Sequence, residues 1–224
     1  AQETTRSVVR GLAHEIKNPL GGIRGAAQLL ERELPEGPLQ EYTGIIIQEA
    51  DRLRGLVDRL MGPNRQLSLK PLNVHAVTEH VRQLISVEGG SHVQIIRDYD
   101  PSLPDIVGDV QQLIQAVLNI ARNALEATRD HPNRTITLRT RAQRQFTIGD
   151  VRHRLVCRID VTDDGPGIPE ALRETLFAPM VSGRPEGTGL GLSIAQSIVH
   201  HHRGLLNYES DVGHTCFSIY LPMD

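Results

Sequence analysis

Apolar residues at Leu12, Ile16, Leu20, Ile23, Ala27, Leu30 and Leu34 recur in steps of three and four, the period of a helix with one buried face. The pattern predicts a helix over about residues 4–34. Pro19 lies inside it, where the missing amide and the clash with the carbonyl four residues back predict a kink just past His14. Residues 33–38, Glu-Leu-Pro-Glu-Gly-Pro, have turn chemistry. A second stripe, Tyr42, Ile46, Ala50, Leu53, Val57 and Leu60, predicts a helix over 39–61. Two amphipathic helices joined by a short turn make an antiparallel hairpin, and one hairpin leaves part of both stripes uncovered. The expected solution is a homodimer, two hairpins packed as a four-helix bundle. At roughly 100° per residue, His14 points about 160° from the centre of its helix's apolar face, into solvent, beside Glu15.

Gly62-Pro63-Asn64 stops the second helix, and the polar stretch to Pro71 reads as a linker. The expected division is residues 1–62 as a helical hairpin, 63–71 as linker and 72–224 as a second domain. There the pattern alternates: helices near 73–86, 109–129, 169–177 and 189–202, and strands near 93–99, 134–144, 152–162, 205–210 and 214–221. The order predicts an α+β domain, a two-layer sandwich with helices on one face of a mixed sheet.

Charge narrows the range of partners. With a net charge of -3 over 224 residues, no broad attraction to nucleic acid or anionic membrane is expected. No apolar run is long enough for a membrane span and no signal segment opens the chain, so a cytoplasmic protein is expected. It begins at Ala1, as a processed or truncated chain would. Cys157 and Cys216 sit in apolar strand patterns, which suits small buried side chains rather than a disulfide framework.

Three motifs carry candidate chemistry in the second domain. Asn119 and Asn123 are four apart on one helix face, with Arg122 beside them; carboxamide oxygens are hard ligands that suit Mg²⁺ without added negative charge, although such residues are also ordinary surface amides. Asp163, ending a strand before Asp164-Gly165-Pro166-Gly167, can accept a hydrogen bond from an exocyclic amine such as adenine's, although the sequence is also plain turn chemistry. Gly187-Thr188-Gly189-Leu190-Gly191 leads into a helix and exposes amides where phosphate is favoured, without the spacing of a dinucleotide fingerprint or a P-loop. The polar segment before it, from Met180 to Glu186, suits a lid from which Arg184 reaches phosphates.

Together, and in this order, the three motifs resemble the N, G1 and G2 boxes of the sensor histidine kinases of two-component systems, with Leu176-Phe177-Ala178-Pro179 matching the F box and His14-Glu15-Ile16-Lys17-Asn18-Pro19 the H box. Residues 21–30, 97–101 and 179–184 are similar to the branch that serves nitrogen regulation. The resemblance covers nearly the whole chain and implies the transmitter part without its N-terminal sensor domain. It implies that His14 is the phosphoacceptor for the γ-phosphate of ATP and that Glu15 orients it and accepts the proton of its other nitrogen. Asn119 and Asn123 would then hold Mg²⁺, Asp163 with Gly165 and Gly167 the adenine side, and Gly187, Thr188, Gly189, Leu190 and Gly191 with Arg122 and Arg184 the rest of the nucleotide site. The phosphoryl group would pass to an aspartate of an NtrC-like response regulator, and Asn18 would orient a water for the reverse, phosphatase role, which a PII signalling protein favours in that branch. The alternative is an ATPase of the same fold, or a nucleotide-binding dimeric scaffold, without histidine phosphorylation. Two positions depart from the branch's pattern. Asp164 replaces the usual Asn and adds charge near the nucleotide, and Pro185-Glu186 replaces Glu-Gly in the lid. His200-His201-His202 cannot converge on one ion from consecutive helical positions and reads as a helix C-terminal feature with favourable dipole contacts when protonated.

Overall fold

A computed structural model describes residues 2–35, 37–60, 67–130, 134–179, 181 and 189–223, with the side chains of 2–15, 54–56, 58–60 and 91 outside the described set. Contacts divide the chain into two units, Ala1–Asn64 and Arg65–Asp224.

The first unit is the hairpin of α1 (Gln2–Glu33) and α2 (Pro38–Leu60). α1 continues through Pro19 as one helix. Gln40 Nε2 donates to the carbonyls of Glu31 and Leu34, which satisfies two acceptors at the end of α1. An Arg24–Asp51 ion pair at 2.7 Å ties the two helices midway. Within the hairpin only part of the two stripes is covered. Leu20, Ala27 and Ala50 are buried, together with Thr43, whereas Ile16, Ile23, Leu30, Tyr42, Ile46 and Leu53 are exposed.

The second unit opens with β1 (Lys70–Leu72), which pairs antiparallel with β3 (Ile106–Gly108) in a small two-stranded sheet. The apolar pattern does not announce this pair, because three-residue strands show almost no period and the partners lie far apart in sequence. The main sheet has the order β2-β4-β5-β7-β6, from β2 (Val93–Tyr99), β4 (Arg134–Ile148), β5 (Val151–Asp163), β6 (Leu205–Asp211) and β7 (His214–Pro222). β2 runs parallel to β4 and every other pairing is antiparallel, so the sheet is mixed.

α3 (Val74–Gly89), α4 (Val110–Ala127) and α6 (Gly191–His201) pack on the sheet. The core lies between them, with Val81, Ile85, Leu113, Ile120 and Ile198 meeting Leu138, Ile159 and Ile219, all nearly inaccessible. The helix expected over 169–177 is shorter, a single turn at Glu170–Arg173 (α5). Beyond it Thr175 N–H bonds Leu172 O and Ala178 N–H bonds Thr175 O, so tight turns replace further helix. Among the described residues no helix is long and apolar enough to cross a membrane. Cys157 and Cys216 are both buried and unbridged, and burial pushes the Cys157 thiol up to about 12.

The histidine run lies at the C-terminal end of α6, as expected, with His200 and His201 in the last turn and His202 as the cap. His202 is buried; its Nε2 accepts from the Asp109 amide at 2.9 Å and its Nδ1 donates to Ile198 O at 2.8 Å. An amide only donates and a carbonyl only accepts, so the ring is the neutral Nδ1–H tautomer. His202 thus joins the start of α4 to the end of α6 rather than adding charge to a helix terminus.

Candidate functional site

α4 owes its position to both ends and one face. Asp109 caps it, with Oδ1 accepting from the amides of Gln111 and Gln112, and the Leu113–Val117–Ile120–Ala124 side is buried. That packing turns Asn119 and Asn123 toward α6. Asn119 Nδ2 donates to Gly191 O at 3.2 Å, and Asn123 Oδ1 lies 3.7 Å from where a Gly191 Cβ would stand. A Cβ at residue 191 would stand in ordinary van der Waals contact with both asparagines.

α6 differs from its neighbours at its N-terminus. Asn73 caps α3 and Asp109 caps α4 through their side chains, whereas Leu190, in the same place on α6, is buried and makes no side-chain cap bond. Among the described residues no side chain caps the first-turn amides of α6, which lie next to two carboxamides. Gly189, half-buried, leads into this turn.

Arg122 is not brought to that point. Its guanidinium reaches α3, where Nε and Nη2 grip the Glu88 carboxylate at 2.6–3.2 Å, and this contact holds the Glu88 carboxyl below its ordinary range.

Asp163 ends β5 almost fully buried. Its Oδ1 accepts from the Gly165 amide at 2.9 Å, and a Cβ on Gly165 would stand 2.7 Å from that oxygen and 3.2 Å from the Ala127 methyl at the end of α4. Gly167 has φ +85, and its Cβ would stand 2.9 Å from Asp211 O in the β6–β7 turn, so the loop needs glycine there for both backbone angle and space. Asp164 spends its added charge locally, since both its oxygens accept from the Thr135 amide at 3.1 Å, fastening the loop to the start of β4. Phe177, from the segment after α5, packs edge-on to Tyr208 of β6.

Sequence reasoning missed the supports of this loop. Ser210, Arg173, Thr135 and the β6–β7 turn all bond it. Three of these four contacts join residues 29–48 positions apart, and no local pattern signals them. Asn18 is exposed on α1. His14 and Glu15 lie in α1 with side chains outside the described set, and Arg184, Gly187 and Thr188 fall outside the described residues.

The α/β sandwich thus brings two carboxamides to a helix start that lacks a side-chain cap and sets a buried aspartate beside a glycine loop. Residues 108–224 match the family described as histidine kinase-, DNA gyrase B-, and HSP90-like ATPase, and residues 5–66 match the His Kinase A (phospho-acceptor) domain. The chain belongs to this family of histidine kinase-like ATPases. More particularly, it is 55% identical over 222 residues to the sensory histidine kinase/phosphatase NtrB of Klebsiella oxytoca, covering 99% of this chain and 63% of that protein. It is 44% identical to NtrB of Rhodobacter capsulatus, covering 95% of this chain and 60% of the relative. The chain thus spans less than two thirds of the curated relatives it matches. Among solved structures it is similar to full-length ShkA in complex with AMPPNP, with TM-score 0.71 and 26% identity over 96% of this chain and 45% of that one. It is also similar to histidine kinase ThkA in complex with response regulator TrrA, with TM-score 0.61 and 25% identity over 97% of this chain and 61% of that one.

Proposed function

We propose that the chain is the transmitter part of a nitrogen-regulating sensor histidine kinase and phosphatase, acting in the cytoplasm. The observation that carries the reading is the meeting of Asn119 and Asn123 with the uncapped start of α6, across the site from the buried Asp163. ATP fits this arrangement with its exocyclic amine on Asp163 and its phosphates at α6. Among the described residues no group of three or more His, Cys, Asp or Glu is placed to bind a metal. A cation at this site would rest on the neutral carboxamides of α4 and on the nucleotide's own oxygens, a donor set that suits Mg²⁺. Asn119 and Asn123 would hold it, and it supplies neutralisation of the phosphate charge.

In the forward reaction His14 Nε2 attacks the γ-phosphorus in line. The bond to the bridging oxygen breaks, ADP leaves, and Glu15 accepts the proton of the other ring nitrogen. The N–P bond then gives its phosphoryl group to a carboxylate of an NtrC-like response regulator. In the reverse role Asn18 orients a water onto the regulator's aspartyl phosphate. A homodimer is supported by the exposed stripe of Ile16, Ile23, Leu30, Tyr42, Ile46 and Leu53, which needs a second hairpin to cover it. A PII signalling protein is the further partner proposed. With Mg²⁺ and γ-labelled ATP the chain should take up label, and Asn123→Ala should lose at least about tenfold of it, as removal of a group that acts on phosphate charge would. Asn18→Ala should label normally yet fail to dephosphorylate the regulator; unchanged dephosphorylation would remove Asn18 from this role.

A further inference from the structure

A transverse row of the main sheet runs Ile136, Asp163, Thr215, Ser210, each paired with the next across β4, β5, β7 and β6. Residues in one row point to one face, here the face that carries the helices, since the rows above it pair Leu138 with Val161 and Val161 with Phe217, all buried. Asp163, at the adenine side of the proposed site, therefore has Thr215 as its neighbour, with Ser210 next in the row. Thr215 is buried and Ser210 half-buried.

Ser210 is the point where this row meets the glycine loop. Its Oγ accepts from the Ile168 amide at 2.8 Å and lies 3.0 Å from Thr215 Oγ1. The Ile168 carbonyl is held from the same side, since Arg173 Nε donates to it and Arg173 Nη2 donates to Ser210 O, each at 3.3 Å. The other end of the loop is tied by Gly213 N–H to Gly165 O at 2.9 Å. The Ser210 hydroxyl touches both walls: the loop through Ile168, and the sheet through Thr215 beside Asp163.

We infer that Ser210 is a positioning residue for the nucleotide base, its hydroxyl setting the spacing between the glycine loop and the strand row that presents Asp163. The inference rests on the reading of this site as the ATP site. Among the described residues the Ser210 side chain bonds Ile168 and Thr215 and no residue of α4 or α6, the helices proposed to meet the phosphates. Its loss should therefore weaken base recognition and leave phosphate recognition alone.

The test uses the chain with its two units intact. Ser210→Ala should raise the KM for ATP about fivefold to tenfold, the range for one lost hydrogen bond, with kcat within about twofold. The Kd for adenosine should rise by the same factor, while inhibition by inorganic tripolyphosphate stays unchanged. Ser210→Thr, which keeps the hydroxyl, should restore ATP affinity, and Ser210→Cys, a weaker acceptor of similar size, should fall between, so the proposal remains testable if the alanine variant folds poorly. Equal losses for adenosine and tripolyphosphate would mark a merely structural role and overturn the inference, as would an alanine variant with unchanged KM. A wild-type chain that binds neither ATP nor adenosine would instead overturn the reading of the site itself.

Discussion

Asp109 shows how much of the second unit depends on one carboxylate. Burial pushes its carboxyl up, but the amides of Ser68, Gln112 and Gln111 outweigh burial and hold it below the ordinary carboxylate range. A carboxyl depressed in the folded state stabilises the fold above its unfolded value, near pH 4, and that stabilisation is lost as pH falls through the folded value. Asp109→Ala should therefore cost about 1–2 kcal/mol at pH 7. In urea unfolding series the gap to wild type should shrink steadily below about pH 4, and a gap constant down to pH 2 would contradict the assignment. Gly167 is a second residue-scale case. Gly167→Ala meets both a positive φ and Asp211 O, and should lower nucleotide affinity along with stability by at least about 1 kcal/mol, read by calorimetry and thermal melts. That a glycine belongs in a turn after Asp163 is legible in the sequence. That Asp211 makes it necessary is not, because the contact is set by how β6 and β7 fold back.

Among the elements, the long helices were the most legible, since seven apolar positions at steps of three and four leave little choice of period. As the two stripes predict, one hairpin leaves part of both uncovered, burying only Leu20, Ala27 and Ala50 of their described members. The remainder is what a second hairpin would cover. Ile46→Glu should accordingly convert the dimer to monomer at micromolar concentration in sedimentation velocity, with helix content retained by circular dichroism; a dimer surviving that charge would place the interface elsewhere. Short elements were not legible. β1 and β3 have three residues each and define each other only by pairing, and α5 stops after one turn where tight turns take over.

For the molecule as a whole, the change from a helical period to alternating strands and helices made two units visible, and in the second the described parts of the motifs, Asn119 and Asn123 against Gly191 and Asp163 on the Gly165 amide, form the walls of the proposed site. What the pattern did not reveal is the support behind those walls: the His202 imidazole between α4 and α6, Asp164 on the Thr135 amide, and Ser210 between loop and sheet. These supports join segments distant in sequence and are set by the fold rather than by spacing. The central claim is that this site feeds a histidine on the helical unit, and the chemistry of the product tests it directly. After incubation with γ-labelled ATP and Mg²⁺, protein-bound label should be lost in acid, persist in base, and be absent from a His14→Gln variant. Label that survives acid, or that persists in His14→Gln, would contradict it.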